Sequence, residues 1–166
     1  MIRRVLRYLA GTQDLGIVYK GNAEKPELHG YTDAAYRNTD KYKLTTGYVF
    51  IASRGAITWS SKRQITQVQS STEAEYVAMS KAMQEVCWLQ SLHTELGLLQ
   101  VEIPTQIYRD NEGSITMASN PTFHKRAKHI AIRWYWVQDL VQDSVIHFNS
   151  CQDPKQTADV LTKALP

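Results

Sequence analysis

Three short segments rich in aromatic and β-branched residues, Glu27 to Tyr36, Gly47 to Ala52 and Ala56 to Ser60, follow one another with only turn-sized separations. Asn38-Thr39-Asp40 and Ser53-Arg54-Gly55 supply the turns, so the three read as an antiparallel meander. A helical pattern follows from Ser71 to Leu96, where Ala78, Ala82, Val86, Leu89, Leu92 and Leu96 mark one face and Gly97 ends the run. Beyond it the residues predict a strand at Thr105 to Asp110, a short helix at Asn111 to Ala118 and a helix at Lys128 to Val141. A strand at Val145 to Asn149 and a final helix at Asp153 to Ala164 complete the pattern. The expected class is α/β: a mixed five-stranded sheet, made of the meander plus two further strands, flanked by helices.

One domain is the natural reading of 166 residues, and a hydrophobic share of 43% is enough for a core. Near the N-terminus Ile2, Val5, Leu6 and Leu9 recur at helical spacing and Gly11 offers a stop, but basic residues are threaded through the segment. It therefore reads as neither a signal peptide nor a membrane span, and the chain is expected inside the cell with no membrane partner. Cys87 and Cys151 lack metal-ligand spacing and are expected as reduced bystanders.

Four carboxylates stand where strands or helices would deliver them to a common centre: Asp33, Glu75, Asp110 and Asp159. Acids that close repel one another unless cations hold them. Hard divalent ions with oxygen ligands are the usual answer, and a pair of them cleaves phosphodiesters by in-line attack of water. Glu73 competes with Glu75 for the second position, but Ser70 followed by Glu73 is a capping box. Glu75 lies about 200° round the helix from Glu73 and in phase with Ala78, Ala82, Val86 and Leu89, so it is preferred. Thr72 with Glu75 remains an alternative cap. Local readings also exist for the other acids: an edge-strand charge for Asp33, a helix cap for Asp110 and a helix N-terminus for Asp159. Against the last, Asp153, Pro154 and Gln156 already form a cap for the final helix.

Net charge is only +3, yet no acid lies between Asp40 and Glu73, where Lys62 and Arg63 fall, or between Glu112 and Asp139, where Lys125, Arg126 and Lys128 fall. Acids gathered at a few points between basic stretches fit a metal pocket beside a polyanion track, with solvated surface as the alternative. His124 and His129 lack a zinc partner at usual spacing and are read as phosphate contacts. Ile130, Trp134, Val137 and Val141 form a core face, whereas Arg133 and Trp136 lie off it, free either to meet a nucleic-acid strand or to pack on a neighbouring loop.

The ordered motifs Tyr31-Thr32-Asp33-Ala34-Ala35-Tyr36, Thr46-Gly47-Tyr48-Val49-Phe50, Trp59-Ser60-Ser61-Lys62, Ser70-Ser71-Thr72-Glu73-Ala74-Glu75-Tyr76, Asp110-Asn111, Lys128-His129-Ile130 and Ala158-Asp159-Val160-Leu161-Thr162-Lys163 resemble the ribonuclease H domain of copia-type retrotransposon polyproteins. The resemblance runs from about Leu28 to the end. It implies a ribonuclease H domain over 27–166, preceded by a segment, 1–26, like the tail of the reverse transcriptase connection.

It also implies hydrolysis of the RNA strand of an RNA–DNA hybrid with two magnesium ions, for which manganese can substitute. Asp33 would bridge both ions, Asp159 would help hold the one that activates water, and Glu75 with Asp110 would hold the one facing the leaving 3′ oxygen. Lys62, Arg63, Ser71, Thr72, Asn111, His124, Lys125, Arg126, Lys128 and His129 would contact the nucleic acid. The reverse transcriptase domain of the same polyprotein would be a further partner, in the cytoplasm or nucleus or within retrotransposon particles. Better-known ribonucleases H carry a histidine in the loop before the last aspartate, and Ser150 to Gln156 contains none. The rival readings are a weak or inactive nucleic-acid-binding module of retrotransposon origin, and an integrase-like nuclease, whose third acid would be a glutamate.

Overall fold

The computed structural model describes residues 2–21, 27–37, 43–63, 71–98, 103–110, 128–151 and 155–163, with the backbone alone at 35–37, 43–44, 71–75 and 128–131. Its elements are α1 (Ile2–Gly11), β1 (His29–Arg37), β2 (Lys43–Ala52), β3 (Gly55–Arg63), α2 (Ser71–Glu95), β4 (Thr105–Arg109), α3 (Lys128–Gln142), β5 (Ile146–Ser150) and α4 (Asp159–Thr162). The five strands form one sheet in the order β3-β2-β1-β4-β5. β1, β2 and β3 pair antiparallel as the expected meander, and β4 and β5 add to the other side of β1 in parallel. The expected helix at Asn111 to Ala118 lies outside the described residues.

A two-residue turn joins β2 to β3: Ala52 pairs with Gly55, and Ser53 and Arg54 both take positive φ, 51° and 65°. Such a turn matches the twist of a hairpin at some conformational cost to non-glycine residues. β2 and β3 run farther than their β-formers predict, to Lys43 and Arg63, because a neighbouring ladder pairs polar residues as well as apolar ones.

The long helix carries more of the core than a single stripe. Ala78, Ala82, Val86 and Leu89 are buried as expected, but so are Tyr76, Met79 and Met83. α2 is covered twice, by Phe50 and Ile107 of the sheet and by α3, whose Trp134 ring lies 4.4 Å from that of Tyr76. Leu96, expected on the buried face, is 62% exposed, since the helix stops at Glu95 and Gly97 turns the chain with φ +67°. The Leu98 amide then donates to the His93 carbonyl at 2.8 Å and closes the end. On α3, Trp134, Val137 and Leu140 are buried, and Trp136 packs half-buried against the same core. Arg133 is exposed.

The final helix is shorter than the capping pattern predicted. Residues 155–158 form a bend and turn, and α4 begins at Asp159 with no side-chain cap. Gln156 closes no capping box: it is buried, its Nε2 donates to the Thr32 carbonyl at 3.3 Å, and its Oε1 accepts from the Ala158 amide at 3.4 Å. Anchoring the segment on β1 outweighs another turn of helix.

At the other end, α1 buries none of its residues. The chain after it crosses the β2–β3 turn, where the Tyr19 hydroxyl donates to the Ala56 carbonyl at 2.6 Å and the Lys20 amide to the Ser53 carbonyl at 3.1 Å. Gly55 admits this strap, because a Cβ there would lie 2.6 Å from the Tyr19 ring. Gly55→Ala is therefore expected to release residues 17–20. Hydrogen exchange checks it: the Lys20 amide should exchange faster while the amides of β1 and β4 keep their protection.

Candidate metal centre

Parallel pairing brings two acids to the same edge of the sheet. β1 and β4 run side by side in the register His29↔Gln106, Gly30↔Ile107 and Tyr31↔Tyr108, and the Tyr31 and Tyr108 rings stack at 5.1 Å on one face. Asp33 and Asp110 each follow their tyrosine by two residues, which returns both to that face just beyond the last parallel pair, at the carboxyl end of β4. In open α/β sheets this is where ligands bind.

The third acid arrives from the other direction in the chain. Gly47 pairs directly with Asp33 across β1 and β2, and a Cβ on it would lie 2.6 Å from Thr162 Cγ2, 3.0 Å from Leu161 Cβ and 3.3 Å from the Ala158 carbonyl. Only a residue without a side chain lets α4 settle so close to the sheet. Ser61 of β3 fixes it there, donating to the Leu161 carbonyl at 2.6 Å. Asp33, Asp110 and Asp159 thereby bring one carboxylate oxygen each within 4.8 Å of one another, from buried Asp33 through half-buried Asp159 to exposed Asp110.

The charges in this cluster are partly compensated. Burial raises the Asp33 carboxyl above its ordinary range; the Thr162 hydroxyl, donating to Asp33 Oδ2, draws it back, while Asp110 and Asp159 push it up again. Lys163 Nζ pairs with Asp159 Oδ2 at 2.5 Å from a half-exposed position, where solvent weakens the attraction. Asp159 Oδ1 is buried and meets no hydrogen-bond partner among the described residues. A buried, unpartnered carboxylate oxygen beside two more carboxylates is the donor set a hard divalent cation takes, and the residues fit such an ion.

Glu75 is the fifth residue of α2, four residues before buried Met79, but its side chain lies outside the described residues. So do the side chains of Ser71 and Thr72, which open the same helix, and those of Lys128 and His129, which open α3. Asn111, His124, Lys125 and Arg126 lie outside the described residues altogether. Lys62 and Arg63 are exposed at the end of β3. Arg63 pairs with Thr45 as Ser61 pairs with Gly47, so Arg63 shares the pleat face of the acids and Lys62 the opposite one. Two further site residues, Gly47 and Thr162, stand in the quoted motifs without a role; a glycine inside a strand was the available signal for the first.

An acid whose pKa is raised by folding binds its proton more tightly in the native state than in the unfolded chain. Stability is then reduced above the native pKa and recovers as pH falls through it. Asp33→Asn is expected to melt above wild type in chelator at neutral pH. The gap should close as pH is lowered through the Asp33 titration; thermal melts across pH check this, and a gap independent of pH would refute it.

No protein-family model matches the chain. Its sequence is 44% identical over 166 residues to the retrovirus-related Pol polyprotein from transposon RE2 of Arabidopsis thaliana, covering 99% of this chain and 11% of that polyprotein. For the Pol polyprotein from transposon TNT 1-94 of Nicotiana tabacum the identity is 38%, over 99% of this chain and 12% of the polyprotein. The chain thus spans about a ninth of the length of these two polyproteins. Among solved structures, LC11-RNase H1, isolated from compost, superposes with a TM-score of 0.60 at 18% identity, over 82% of this chain and 92% of that one. The foamy viral protease-reverse transcriptase superposes with a TM-score of 0.53 at 16% identity, over 84% of this chain and 92% of that one. Sequence and fold together place this chain in the family of copia-type retrotransposon Pol polyproteins, as a segment with the ribonuclease H fold.

Proposed function

We propose that the chain is a ribonuclease H domain that hydrolyses the RNA strand of an RNA–DNA hybrid. The observation that carries the reading is the convergence of Asp33, Asp110 and Asp159 where the parallel pairing of β1 and β4 ends, on a fold shared with ribonucleases H. LC11-RNase H1 has been solved in complex with an RNA/DNA hybrid, and its superposition here has a TM-score of 0.56 at 16% identity. Among the described residues no helix is long and apolar enough to cross a membrane.

In this reading Asp33, Asp110 and Asp159, with Glu75, would hold two magnesium ions, Asp33 contributing to both, Asp159 to the one that activates water and Asp110 with Glu75 to the one facing the leaving oxygen. The bound ions supply Lewis acidity at the scissile phosphate and a nucleophilic water at neutral pH, a role manganese also fills. The protein holds their ligands in place. Asp33 is fixed from behind by the strand ladder and by Thr162, Asp159 by the packing of α4 on Gly47, and exposed Asp110 leaves one side open to a phosphate. Arg63, on the same pleat face, is placed to take a backbone phosphate, as are Ser71, Thr72, Asn111, His124, Lys125, Arg126, Lys128 and His129 in the sequence-based reading. Hybrid selection then rests on backbone shape and 2′-hydroxyls rather than on bases. Residues 1–26 serve as the connection from a reverse transcriptase, consistent with an α1 that buries nothing of its own.

Asp33→Asn, Asp110→Asn and Asp159→Asn are each expected to abolish magnesium-dependent cleavage of a labelled hybrid while hybrid binding in chelator persists. Glu75→Gln should join them and Glu73→Gln should stay active; near wild-type cleavage by Asp33→Asn would sink the reading.

The two basic residues of β3 should separate in a salt titration of hybrid binding. Arg63→Ala is expected to reduce the slope of log affinity against log salt by about 1, the value for one phosphate contact. Lys62→Ala, on the other face, should change it less. Equal slopes for Arg63→Ala and wild type would return Arg63 to ordinary solvated surface.

A further inference from the structure

We infer that Thr162 is a positioning residue for the metal centre: its hydroxyl orients the Asp33 carboxylate, and this bond couples the placement of Asp159 to that of Asp33. The inference rests on the proposed function, since it assumes that the acidic cluster receives a divalent cation.

Thr162 does two separate things. Its methyl, Cγ2, lies against Gly47, where an added Cβ would sit 2.6 Å away, and its hydroxyl donates to Asp33 Oδ2. A β-branched side chain has few χ1 choices in a helix, so seating the methyl on Gly47 also sets where the hydroxyl points. The hydroxyl has a second acceptor within reach, the Asp159 carbonyl at 3.3 Å, but the contact to Asp33 is the closer one and its acceptor carries charge. A hydroxyl has a single proton to donate. Donated to Oδ2, it fixes the orientation of the Asp33 carboxylate, whose remaining lone pairs can still serve a cation.

The same turn that carries Thr162 begins with Asp159, three residues earlier. One helical turn therefore presents a metal ligand and, beside it, the group that orients a second ligand 129 positions away in the chain. Partners of this kind around metal ligands fix ligand geometry, and losing one typically weakens metal affinity about 10–100-fold. Thr162 is buried, and Gln156 and Ser61 hold the segment on the sheet independently of it, so its hydroxyl can be removed without undocking the helix.

The substitutions Thr162→Val and Thr162→Ser divide the two roles. Valine keeps the methyl packing and loses the donor; serine keeps the donor and loses the methyl. The probe is Mn2+ alone, titrated into chelator-treated protein and followed by electron paramagnetic resonance, with thermal melts in chelator alongside. Thr162→Val is expected to weaken Mn2+ binding about tenfold or more, and Thr162→Ser to restore it to near wild type. A purely structural role predicts the reverse, with serine the damaging change. Wild-type Mn2+ affinity in Thr162→Val, or equal losses in both variants, would overturn the inference. Asp33→Asn in the same titration keeps the two ideas apart. If it loses binding while Thr162→Val does not, only the role of Thr162 falls; if wild type and Asp33→Asn bind alike, or wild type binds no Mn2+, the proposed function falls with it.

Discussion

Holding three carboxylates within 4.8 Å is the constraint around which this end of the molecule is organised. Like charges that near, with one of them buried, oppose folding until protons, hydrogen bonds or cations offset them. The chain supplies rigid backbone on each side: a five-stranded ladder beneath Asp33 and Asp110, and a helical turn pinned by Gln156, Ser61 and Gly47 beneath Asp159. It supplies partial compensation as well, through the Thr162 hydroxyl and the Lys163 ammonium. Neither neutralises the cluster, and the orphaned Oδ1 of Asp159 marks what is left for a cation.

Much of this was legible in the sequence because the relevant signals are local. Strand periodicity at Tyr31 to Ala34 and Gly47 to Phe50, the stop at Gly97 and the helical phase of Ala78, Ala82 and Val86 each depend on neighbours a few residues away, and each is found as expected. Asp33 stood out because aspartate is depleted within strands, whereas Asp110 and Asp159, well suited to a helix cap and a helix N-terminus, stood out through the motifs that contain them. Local reasoning failed where a distant partner competed. Asp153, Pro154 and Gln156 form a sound capping pattern, yet Gln156 spends its amide on the Thr32 carbonyl, 124 positions away, and the helix starts later. The burial of α2 exceeds its stripe for a similar reason: α3 covers a second face, and nothing within α2 itself announces that.

The unread part of the site has the same origin. Gly47 and Thr162 both sat inside quoted motifs, but their function lies in each other and in Asp33, and no spacing rule connects residues so far apart. Sheet register supplies the missing relation. Once Gly47 is known to pair with Asp33, the space above Gly47 becomes a route by which a helix can reach that carboxylate closely, and the residues at 158, 161 and 162 are those found there. Register also separates Lys62 from Arg63, which sequence treats as one basic pair.

The distribution of support within the site has a mechanistic consequence. Asp33 is held by β-pairing with Gly47, by a hydroxyl and by burial, so its carboxylate is the most constrained of the three. Asp159 moves only with α4, and Asp110, just past the last residue of β4, is exposed. A bridging ligand is the one whose displacement would disturb both ions at once, and the most constrained of the three carboxylates is the one suited to that position. The ligand nearest the solvent, by contrast, must adjust as substrate oxygens enter and leave. The gradient from buried Asp33 to exposed Asp110 thus leaves the Asp110 side the open one; under the proposed function a phosphate would approach from there without unseating the helix that holds Asp159.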